Sequence, residues 1–329
     1  MNIFITGGTG YVGNNLVKRL AGEGNTIHAL CRNVATPQLQ HYPNIKIFKG
    51  DITDAASVRK AMEGCEQAYH LAAYARVWAK DPSIFYKLNV EGTKNVFDAA
   101  REEGISHIVF TSTGGTLGPS GRRPVKENDE RIGKPFTIYE ETKTWAEALA
   151  VEYCNKYGLR IVTVNPPRIY GPGIITESNA VTRLVKLYME GKWKIMPGDG
   201  KRTGSYVYID DVVNGHILAM QKGRAGERYN LGGVNASYIA FFNLLAQITG
   251  RRQALIKFPI WAMMLAGNAI ELYSKLTGRP PLLTPPWIRK YYYNWDVDSS
   301  KAQQELGYSF ISLEDGLRRT VEWLKNHPD

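Results

Sequence analysis

The chain has 329 residues, of which 43% are hydrophobic and 22% are charged, so it is long enough and apolar enough to form a sizeable folded core. No segment repeats at a fixed period, which excludes a solenoid or a propeller. The formal net charge is +10, but the basic residues are scattered and their densest groups are pairs such as Arg122-Arg123. We therefore expect solvated surfaces and an anionic ligand rather than a nucleic-acid partner.

The cysteines and the N-terminus bear on compartment and processing. Cys31, Cys65 and Cys154 stand far apart in no metal-ligand or Cys-x-x-Cys spacing, which predicts free thiols in a reducing, cytoplasmic compartment and no metal site. Residues 1–6 already have the pattern of a strand entering a glycine-rich turn, which leaves no room for a signal peptide.

One apolar stretch, from Phe258 to Ile270, could be mistaken for a membrane span. It ends before Glu271 and is shorter than the roughly 20 residues that a span needs. We expect this stretch, extended to Leu272, to cover a substrate cleft or to lie on a membrane surface without crossing the bilayer.

The first half of the chain alternates strand and helix patterns, which indicates an α/β fold with a doubly wound parallel sheet, a Rossmann arrangement. The predicted strands are Asn2–Thr6, Thr26–Cys31, Ile45–Lys49, Gln67–Leu71, His107–Thr111 and Arg160–Asn165. The predicted helices are Tyr11–Ala21, Ala55–Met62, Ile84–Glu103 and Tyr139–Lys156.

After Asn165 the chain is punctuated by proline and glycine, as in Gly171-Pro172-Gly173 and Pro197-Gly198-Asp199-Gly200. We expect residues 1–165 to form a dinucleotide-binding domain and residues 166–329 mainly a smaller, C-terminal substrate-binding region. Within the second part, segment 206–232, including Tyr206–Ala219 and Glu227–Leu231, is expected to return to the main sheet.

The first turn carries a phosphate-binding pattern. Gly7, Gly10 and Gly13 follow a strand and open a helix with the spacing Gly-x-x-Gly-x-x-Gly. The first glycine permits a tight turn, the second admits a pyrophosphate close to the backbone, and the third lets helix pack on strand. With the intervening Thr9, Tyr11 and Val12, this loop is predicted to cradle the phosphates of a dinucleotide at a helix N-terminus.

The end of the second predicted strand indicates which dinucleotide binds. Sites selective for NAD usually place a carboxylate there, whereas an arginine accommodates the 2′-phosphate of NADP. No carboxylate occurs between Asn25 and Lys49, and Arg32 is in place, so NADP(H) is favoured over NAD(H). After the third strand, Asp51 and Ile52 could contact the adenine, and Asp51 could equally cap the next helix.

Tyr139 and Lys143 are predicted to carry the chemistry. They are four residues apart, on one face of a helix, where an ammonium would draw the pKa of the phenol down. Upstream, the hydroxyls of Thr111, Ser112 and Thr113 leave the carboxyl end of a strand, where one of them could polarise a substrate carbonyl.

These patterns together resemble the extended short-chain dehydrogenase/reductase superfamily, over essentially the whole chain. The segments that carry the resemblance are Thr6–Gly13, Gly50–Asp54, His70–Ala73, Asn89–Thr93, Thr111–Thr113, Tyr139 with Lys143, Pro166–Pro172 and Tyr208–Val212. With Ser299–Ala302 and Glu305–Tyr308, the later segments look most like the dihydroflavonol reductase and 3β-hydroxysteroid dehydrogenase branch.

The resemblance implies roles for particular residues. Tyr139 would exchange a proton with the substrate oxygen, and Lys143 would bind the nicotinamide ribose. Thr113 matches the family's hydroxyl position by its spacing to Gly118, with Ser112 as the alternative. By the same resemblance, further cofactor contacts would come from Leu71, Ala72, Ala73 and Pro166.

Two positions depart from the family pattern, and one assembly is implied by analogy. Thr142 stands where many relatives have serine, and Arg168 where many have a smaller residue, with a role toward phosphates or substrate left open. The family's usual homodimer pairs the helices predicted at Ile84–Glu103 and Tyr139–Lys156 with their symmetry mates.

The sequence is compatible with three functions. The first is an NADPH-dependent reductase of a ketone or aldehyde on an apolar, ring-shaped substrate, favoured by Arg32 and by the aromatic cluster Tyr291–Tyr293 with Trp295. The second is a sugar-nucleotide epimerase or dehydratase with a retained cofactor, for which Arg202, Arg289 and Lys290 could serve a diphosphate. The third, a catalytically silent NADP sensor, is disfavoured because Tyr139, Lys143 and Thr113 are all intact.

Overall fold

The computed structural model describes residues 1–40, 42–175, 179–281 and 283–327. The strands are β1 (Asn2–Thr6), β2 (Thr26–Cys31), β3 (Ile45–Lys49), β4 (Gln67–His70), β5 (His107–Thr111), β6 (Arg160–Asn165), β7 (Arg168–Tyr170), β8 (Ile195–Pro197), β9 (Thr203–Tyr208), β10 (Arg228–Asn230), β11 (Val234–Ser237) and β12 (Ile256–Phe258). The α-helices are α1 (Tyr11–Gly22), α2 (Pro37–Gln40), α3 (Ala55–Met62), α4 (Ser83–Tyr86), α5 (Gly92–Glu102), α6 (Ile138–Tyr157), α7 (Ala180–Met189), α8 (Ile209–Lys222), α9 (Tyr238–Thr249), α10 (Ile260–Thr277), α11 (Pro285–Arg289) and α12 (Leu313–Asn326). Single turns of 3₁₀ or π helix cover Lys87–Glu91, Gly114–Leu117, Lys290–Tyr292 and Ala302–Leu306.

The main sheet has seven strands in the order β3-β2-β1-β4-β5-β6-β10, and every neighbouring pair is parallel. The predicted strands of the first half have the expected bounds, except that β4 ends one residue early, at His70. The strand order reverses between β1 and β4, and connections leaving these strands in opposite directions open a crevice at their carboxyl ends. The doubly wound parallel sheet predicted from the sequence is confirmed.

Helices cover both faces of the sheet and divide the core in two. Successive side chains of a strand point to opposite faces, so each central strand contributes to both cores. Phe4 and Phe110 pack with α3, α5 and α6, whereas Ile5 and Val109 pack with α1 and α8. All four of these side chains are fully buried.

The helix predicted at Ile84–Glu103 is interrupted. It begins as α4, passes through the π turn at Lys87–Glu91 and continues as α5. A π turn inserts a residue without erasing the apolar pattern, so periodicity does not reveal it. In this turn the buried Asn89 accepts a 2.7 Å hydrogen bond from the backbone N–H of Tyr74 and donates a 3.0 Å bond to the hydroxyl of Thr142. The turn therefore ties the loop after β4 to α6.

The second half adds a small sheet of β11, β9 and β7, and a pair formed by β12 and β8. Segment 206–232 divides between the two sheets. β9 pairs with β7 and β11, whereas α8 packs on β5 and β6, and β10 pairs with β6 at the edge of the main sheet. The apolar stretch after Phe258 forms α10, and among the described residues no helix has the length and hydropathy that crossing a membrane requires.

Candidate active site

The loop between β1 and α1 leaves no room for side chains at two of its glycines. Gly7 has a φ of 73°, and a Cβ there would lie 2.7 Å from the backbone nitrogen of Ala72. A Cβ at Gly13 would collide with the carbonyl oxygen of Gly7. Gly10 is the N-cap of α1 without a side-chain cap, and the first turn of α1 has no acidic residue. The helix N-terminus is therefore open to an anion.

Neighbouring residues of the loop contribute differently from the glycines. The Tyr11 side chain is buried in the core, its hydroxyl donates a 3.0 Å bond to the carbonyl of Gly171, and burial raises its pKa. Val12 is also packed partly against this core, whereas Thr9 is exposed. What Tyr11 and Val12 can offer a phosphate is therefore backbone N–H rather than side chain.

Beyond β2 and β3 lie the residues predicted to select the cofactor. Arg32 is exposed and makes no hydrogen bond or ion pair with any residue that the structure describes. The helix-capping role considered for Asp51 is wrong, because Asp54 caps α3 through a 3.2 Å bond from the N–H of Ala56. Asp51 instead accepts bonds from the backbone N–H and hydroxyl of Thr53, at 2.9 and 2.8 Å, and this turn delays the start of the helix. Ile52 is buried.

The loop 71–73, after β4, is held across the crevice by a chain of buried polar groups. The backbone N–H of Ala72 donates a 3.1 Å bond to the hydroxyl of Thr6. That hydroxyl also bonds Nδ1 of His70 at 2.7 Å, and Nε2 of His70 bonds the hydroxyl of Thr93 at 3.0 Å. Burial lowers the pKa of His70 to about 3, so the imidazole is neutral. This role of His70 depends on partners in β1 and α5 and is not evident from the motif at residues 70–73.

Tyr139 and Thr113 meet where β5 ends and α6 begins. The hydroxyl of Thr113 lies close enough to the phenol of Tyr139 to favour the ionised form of the phenol. Burial raises the pKa of Tyr139 to about 12, and the Thr113 hydroxyl only partly offsets this effect. The phenol therefore carries its proton at neutral pH.

Lys143 lies one turn further along α6 and is 1% exposed. Its Nζ donates a 2.8 Å bond to the carbonyl of Thr111 and lies 4.0 Å from the centre of the Phe110 ring. Burial lowers the pKa of this amine to about 7, opposed by the charge of Glu147. The predicted lowering of the Tyr139 pKa is not observed, because burial of the phenol dominates.

Ser112, the alternative hydroxyl, belongs to a different network. Its hydroxyl donates to the carboxylate of Glu147, which is 5% exposed. The same carboxylate oxygen accepts 2.7 Å bonds from Thr116 and Asn165, and the other oxygen pairs with Arg228 at 3.1 Å. Of the two hydroxyls, the one in contact with the phenol is that of Thr113.

Glu147 was missed by the sequence analysis although a signal was present. Tyr139, Lys143 and Glu147 are spaced by four residues along one face of α6. Extending the predicted pair by one turn would have found it.

Glu140, next to Tyr139, connects the site to the C-terminal region by ion pairs. It is 1% exposed and pairs with Arg131 at 2.9 Å and with Lys290 at 2.6 Å. The Lys290 Nζ also lies 4.4 Å from the centre of the Trp295 ring. Lys290, weighed above as a diphosphate ligand, is thus already paired with a carboxylate.

Arg168 lies in β7, where the space it needs is provided by a glycine. A Cβ at Gly204 would collide with its guanidinium group. The guanidinium donates a 3.0 Å bond to the hydroxyl of Tyr206 and lies 5.0 Å from the centre of the Tyr238 ring. No carboxylate among the described residues forms a salt bridge with it.

Pro166, predicted to contact the cofactor, is buried, and its carbonyl accepts a 2.9 Å bond from the N–H of Gly114.

Tyr139 borders a cavity of about 690 Å³ whose walls come from three segments. These are the loop after β4, the residues that enter α6, and the second half of α10 with the following turn. The lining residues are Arg76, Val77, Trp78, Ala79, Lys80, Pro82, Phe85, Phe136, Thr137, Ile138, Tyr139, Glu271, Ser274, Lys275, Leu276, Thr277, Gly278, Thr284 and Pro286. A second cavity, of about 440 Å³ near the start of α10, is not lined by Tyr139. The first is therefore the candidate substrate cavity.

Three features fit a bound dinucleotide. The strand order reverses at β1 and β4, two glycines of the loop have no space for a Cβ, and the N-terminus of α1 is uncapped. Phosphates bind favourably at such a terminus. Together with a tyrosine and a lysine one turn apart on α6, these features define an NAD(P)-dependent oxidoreductase of the short-chain dehydrogenase/reductase type.

Comparison with known proteins gives the family. Residues 3–232 match the model described as the NAD dependent epimerase/dehydratase family, and the chain belongs to this family, within the extended short-chain dehydrogenase/reductase superfamily. Similar proteins include a putative dihydroflavonol 4-reductase of Synechocystis sp., 32% identical over 98% of this chain and 94% of that protein. A 3beta-hydroxysteroid-dehydrogenase/decarboxylase of Arabidopsis thaliana is 29% identical over 97% of this chain and 78% of its own.

Among solved structures, a UDP-glucose 4-epimerase of Thermotoga maritima, crystallised with UDP-glucose, is 26% identical with a TM-score of 0.82. The match covers 100% of both chains. The relatives thus include reductases and epimerases, and the resemblance to the dihydroflavonol reductase and hydroxysteroid dehydrogenase branch that the sequence analysis stated is confirmed.

Proposed function

We propose that the protein is an NADPH-dependent reductase, and reversible dehydrogenase, of a ketone or aldehyde on an apolar, ring-shaped substrate. The observation that carries the proposal is that Tyr139, which interacts with the Thr113 hydroxyl, lines the 690 Å³ cavity. Aromatic and aliphatic side chains such as Trp78, Phe85 and Phe136 form much of its wall. These rings suit an apolar cyclic substrate, whereas Arg76, Lys80 and Lys275 in the same wall would suit an anionic group.

In this proposal the protein's own groups handle the proton and the carbonyl oxygen, and the bound nicotinamide supplies the hydride. Tyr139 donates its hydroxyl proton to the substrate oxygen, and a pKa of about 12 keeps that proton in place at neutral pH. Thr113 polarises the carbonyl by a hydrogen bond. Lys143 holds the nicotinamide ribose through the amine that now lies on the Thr111 carbonyl.

The preference for NADPH over NADH follows from the positive charge of Arg32 at the end of β2. Arg32 is exposed and without a protein partner among the described residues, so its guanidinium is available to a 2′-phosphate. The segment from Asn25 to Lys49 has no carboxylate that would repel one. Residues 1–165 would bind the dinucleotide and residues 166–329 mainly the substrate, with the loop after β4 contributing to the cavity.

The unpaired state of the three cysteines is consistent with a reducing compartment. Cys31, Cys65 and Cys154 are unpaired, and burial raises the pKa of each. A raised pKa makes a thiol a poor nucleophile, as expected for structural cysteines. We therefore propose a cytoplasmic location.

A sugar-nucleotide epimerase or dehydratase that retains NAD(P) is the second candidate, and the similarity to UDP-glucose 4-epimerase over the whole chain favours it. The pairing of Lys290 with Glu140 counts against it, because that amine is no longer free for a diphosphate. The two candidates differ in how they hold the cofactor. Mass spectrometry of the protein as purified would find NAD(P) in stoichiometric amount for an epimerase, whereas a reductase releases and exchanges it.

The decisive test is Tyr139→Phe. This change keeps the ring and its packing but removes the proton that the phenol donates, and loss of general acid catalysis typically costs about 10²–10⁴-fold in rate. Turnover of a carbonyl substrate, followed by NADPH absorbance, should fall by that factor while NADPH binding is retained. Thr113→Val should also lower turnover, and Ser112→Ala serves as its comparison.

Two results would change this interpretation. If Ser112→Ala is the more damaging change, the polarising hydroxyl is that of Ser112 and the mechanism otherwise stands. Near-normal turnover by Tyr139→Phe on a verified substrate would refute the mechanism.

A further inference from the structure

Helix α10 exposes one apolar face to solvent. Its residues recur at spacings of three and four, so they lie on one side of the helix, and we call them the apolar stripe. The apolar stripe consists of Trp261, Leu265, Ala269, Leu272 and Leu276. Trp261, Leu265, Leu272 and Leu276 are 64%, 63%, 61% and 79% exposed. The opposite side of the helix, with Met263, Gly267 and Ser274, is buried against the protein.

Such a face calls for a partner. The only charged residues of α10, Glu271 and Lys275, pair with each other at 3.1 Å, and neither belongs to the apolar stripe. Contiguous exposed apolar surface on a soluble domain marks an interaction site. The helix belongs to the segment that the sequence predicts to cover a substrate cleft or to lie on a membrane surface.

Charge around the apolar stripe favours an anionic surface. Glu271 is the only acidic residue between Arg251 and Lys290. Basic residues flank the helix on both sides, and these exposed residues are Arg251, Arg252 and Lys257 before it and Arg279 and Arg289 after it. A second copy of the chain would bring the same basic flanks against each other, which is unfavourable. A helix with an apolar face and basic flanks suits the boundary of an anionic bilayer.

The apolar stripe is continuous with the candidate substrate cavity. Ser274, Leu276 and Thr277, in the second half of α10, line the cavity that Tyr139 borders. A molecule leaving a bilayer beside α10 would reach this cavity without crossing bulk water.

We propose that α10 docks on an anionic lipid bilayer, with the apolar stripe at the boundary between headgroups and acyl chains. The cavity then opens toward the lipid, and its substrate is an apolar molecule taken from the membrane. This last step rests on the proposed reductase function, whereas the docking itself does not.

Vesicle co-sedimentation tests the docking. The wild-type chain should sediment with vesicles of phosphatidylcholine and phosphatidylglycerol more than with phosphatidylcholine alone, and salt should weaken the binding. The double variant Leu265→Asp/Leu272→Asp should lower the partition coefficient at least about tenfold, because two exposed leucines are lost from the membrane contact. Ile132→Asp, which changes a 54% exposed apolar residue elsewhere, is the matched control and should bind like the wild type.

A charge variant separates the two contributions. Lys257→Glu/Arg279→Glu should abolish the preference for phosphatidylglycerol while leaving the apolar stripe intact. Neither Leu265 nor Leu272 lines the cavity, so turnover of a water-soluble carbonyl without vesicles should be unchanged in the leucine variant. Since vesicle binding is measured without substrate, failure of the reductase activity leaves this readout intact.

Two results would overturn the docking. One is equal sedimentation of the wild type and the leucine variant with anionic vesicles. The other is a lipid-free self-association of the wild type that the leucine variant abolishes, which would assign the apolar stripe to a protein interface.

Discussion

The amine of Lys143 is buried on the Thr111 carbonyl, and burial lowers its pKa from 10.5 to about 7. The unfolded chain binds a proton at this residue up to the higher value, whereas the folded chain binds it only below the lower one. Between these two pH values the unfolded state holds more protons, so the free energy of unfolding rises with pH. Below pH 7 both states are protonated and the full cost of burying the charge is present.

Lys143→Met should therefore stabilise the protein, because it removes the cost of burying the charge. It should also lower turnover and cofactor affinity, since functional sites commonly reduce stability. The gain in unfolding free energy should be roughly 3 kcal/mol smaller near pH 9.5 than near pH 6.5, following about 1.4 kcal/mol per pH unit. Urea unfolding at the two pH values measures this difference, with Lys60→Met, which removes an exposed lysine from α3, as the comparison. A pH-independent difference would show that Lys143 does not titrate in this range.

Arg32 carries the prediction on cofactor choice. Arg32→Ala should weaken NADPH binding by about tenfold to a hundredfold, the scale of a charge-assisted hydrogen bond, and leave NADH binding nearly unchanged. Titration of the same variant with both cofactors supplies the control. Equal weakening for both would contradict the assigned role, and so would a wild-type preference for NADH.

Residue spacing predicted which groups meet, but not how they are protonated. The four-residue step identified Tyr139 and Lys143, and the strand end identified Thr113 and Ser112 as alternatives. The direction of the Tyr139 pKa shift was wrong because it depends on burial, which a spacing does not contain. The role of Ser112 likewise depends on its hydrogen bond to Glu147, which lies 35 positions away in the sequence.

At the scale of elements, Glu147 joins α6 to β5, β6 and β10 through one carboxylate. Glu147→Gln keeps the shape but loses the ion pair with Arg228, whose side chain is 31% exposed. We expect the free energy of unfolding to fall by about 2 kcal/mol, below the cost of breaking a fully buried pair. Urea unfolding tests this, and Glu152→Gln on the exposed side of the same helix should change stability by less than about 0.5 kcal/mol. Equal effects of the two changes would show that the carboxylate network adds no stability.

Elements with a regular pattern could be predicted, and those defined by distant contacts could not. The strands β1, β2, β3, β5 and β6 have the predicted bounds because each is a short apolar run between turn signals. The π turn at Lys87–Glu91 was not predicted, because it is stabilised by the hydrogen bond between Asn89 and the backbone N–H of Tyr74. The contact of Glu140 with Lys290 spans 150 positions, and no local pattern encodes it.

At the scale of the whole molecule, two of the exposed apolar surfaces on the described residues lead to predictions about partners. One is the apolar stripe of α10. The other lies on α4 and α6, where Tyr86 and Trp145 are 45% and 46% exposed and touch each other with ring centres 5.8 Å apart. Val151, 41% exposed, lies further along α6. These helices are the ones that the family resemblance implies in a homodimer, so we propose that a copy of the same chain covers the second surface.

The wild-type chain should therefore sediment as a dimer in the absence of lipid. Trp145→Asp/Val151→Asp should yield a monomer, because the interface would bury the new charges in an apolar contact without partners. Leu265→Asp/Leu272→Asp should remain dimeric, since α10 lies outside this surface. Sedimentation velocity at several protein concentrations distinguishes these states. A monomeric wild type, or a dimer that only the α10 variant dissociates, would reverse the assignment of the two surfaces.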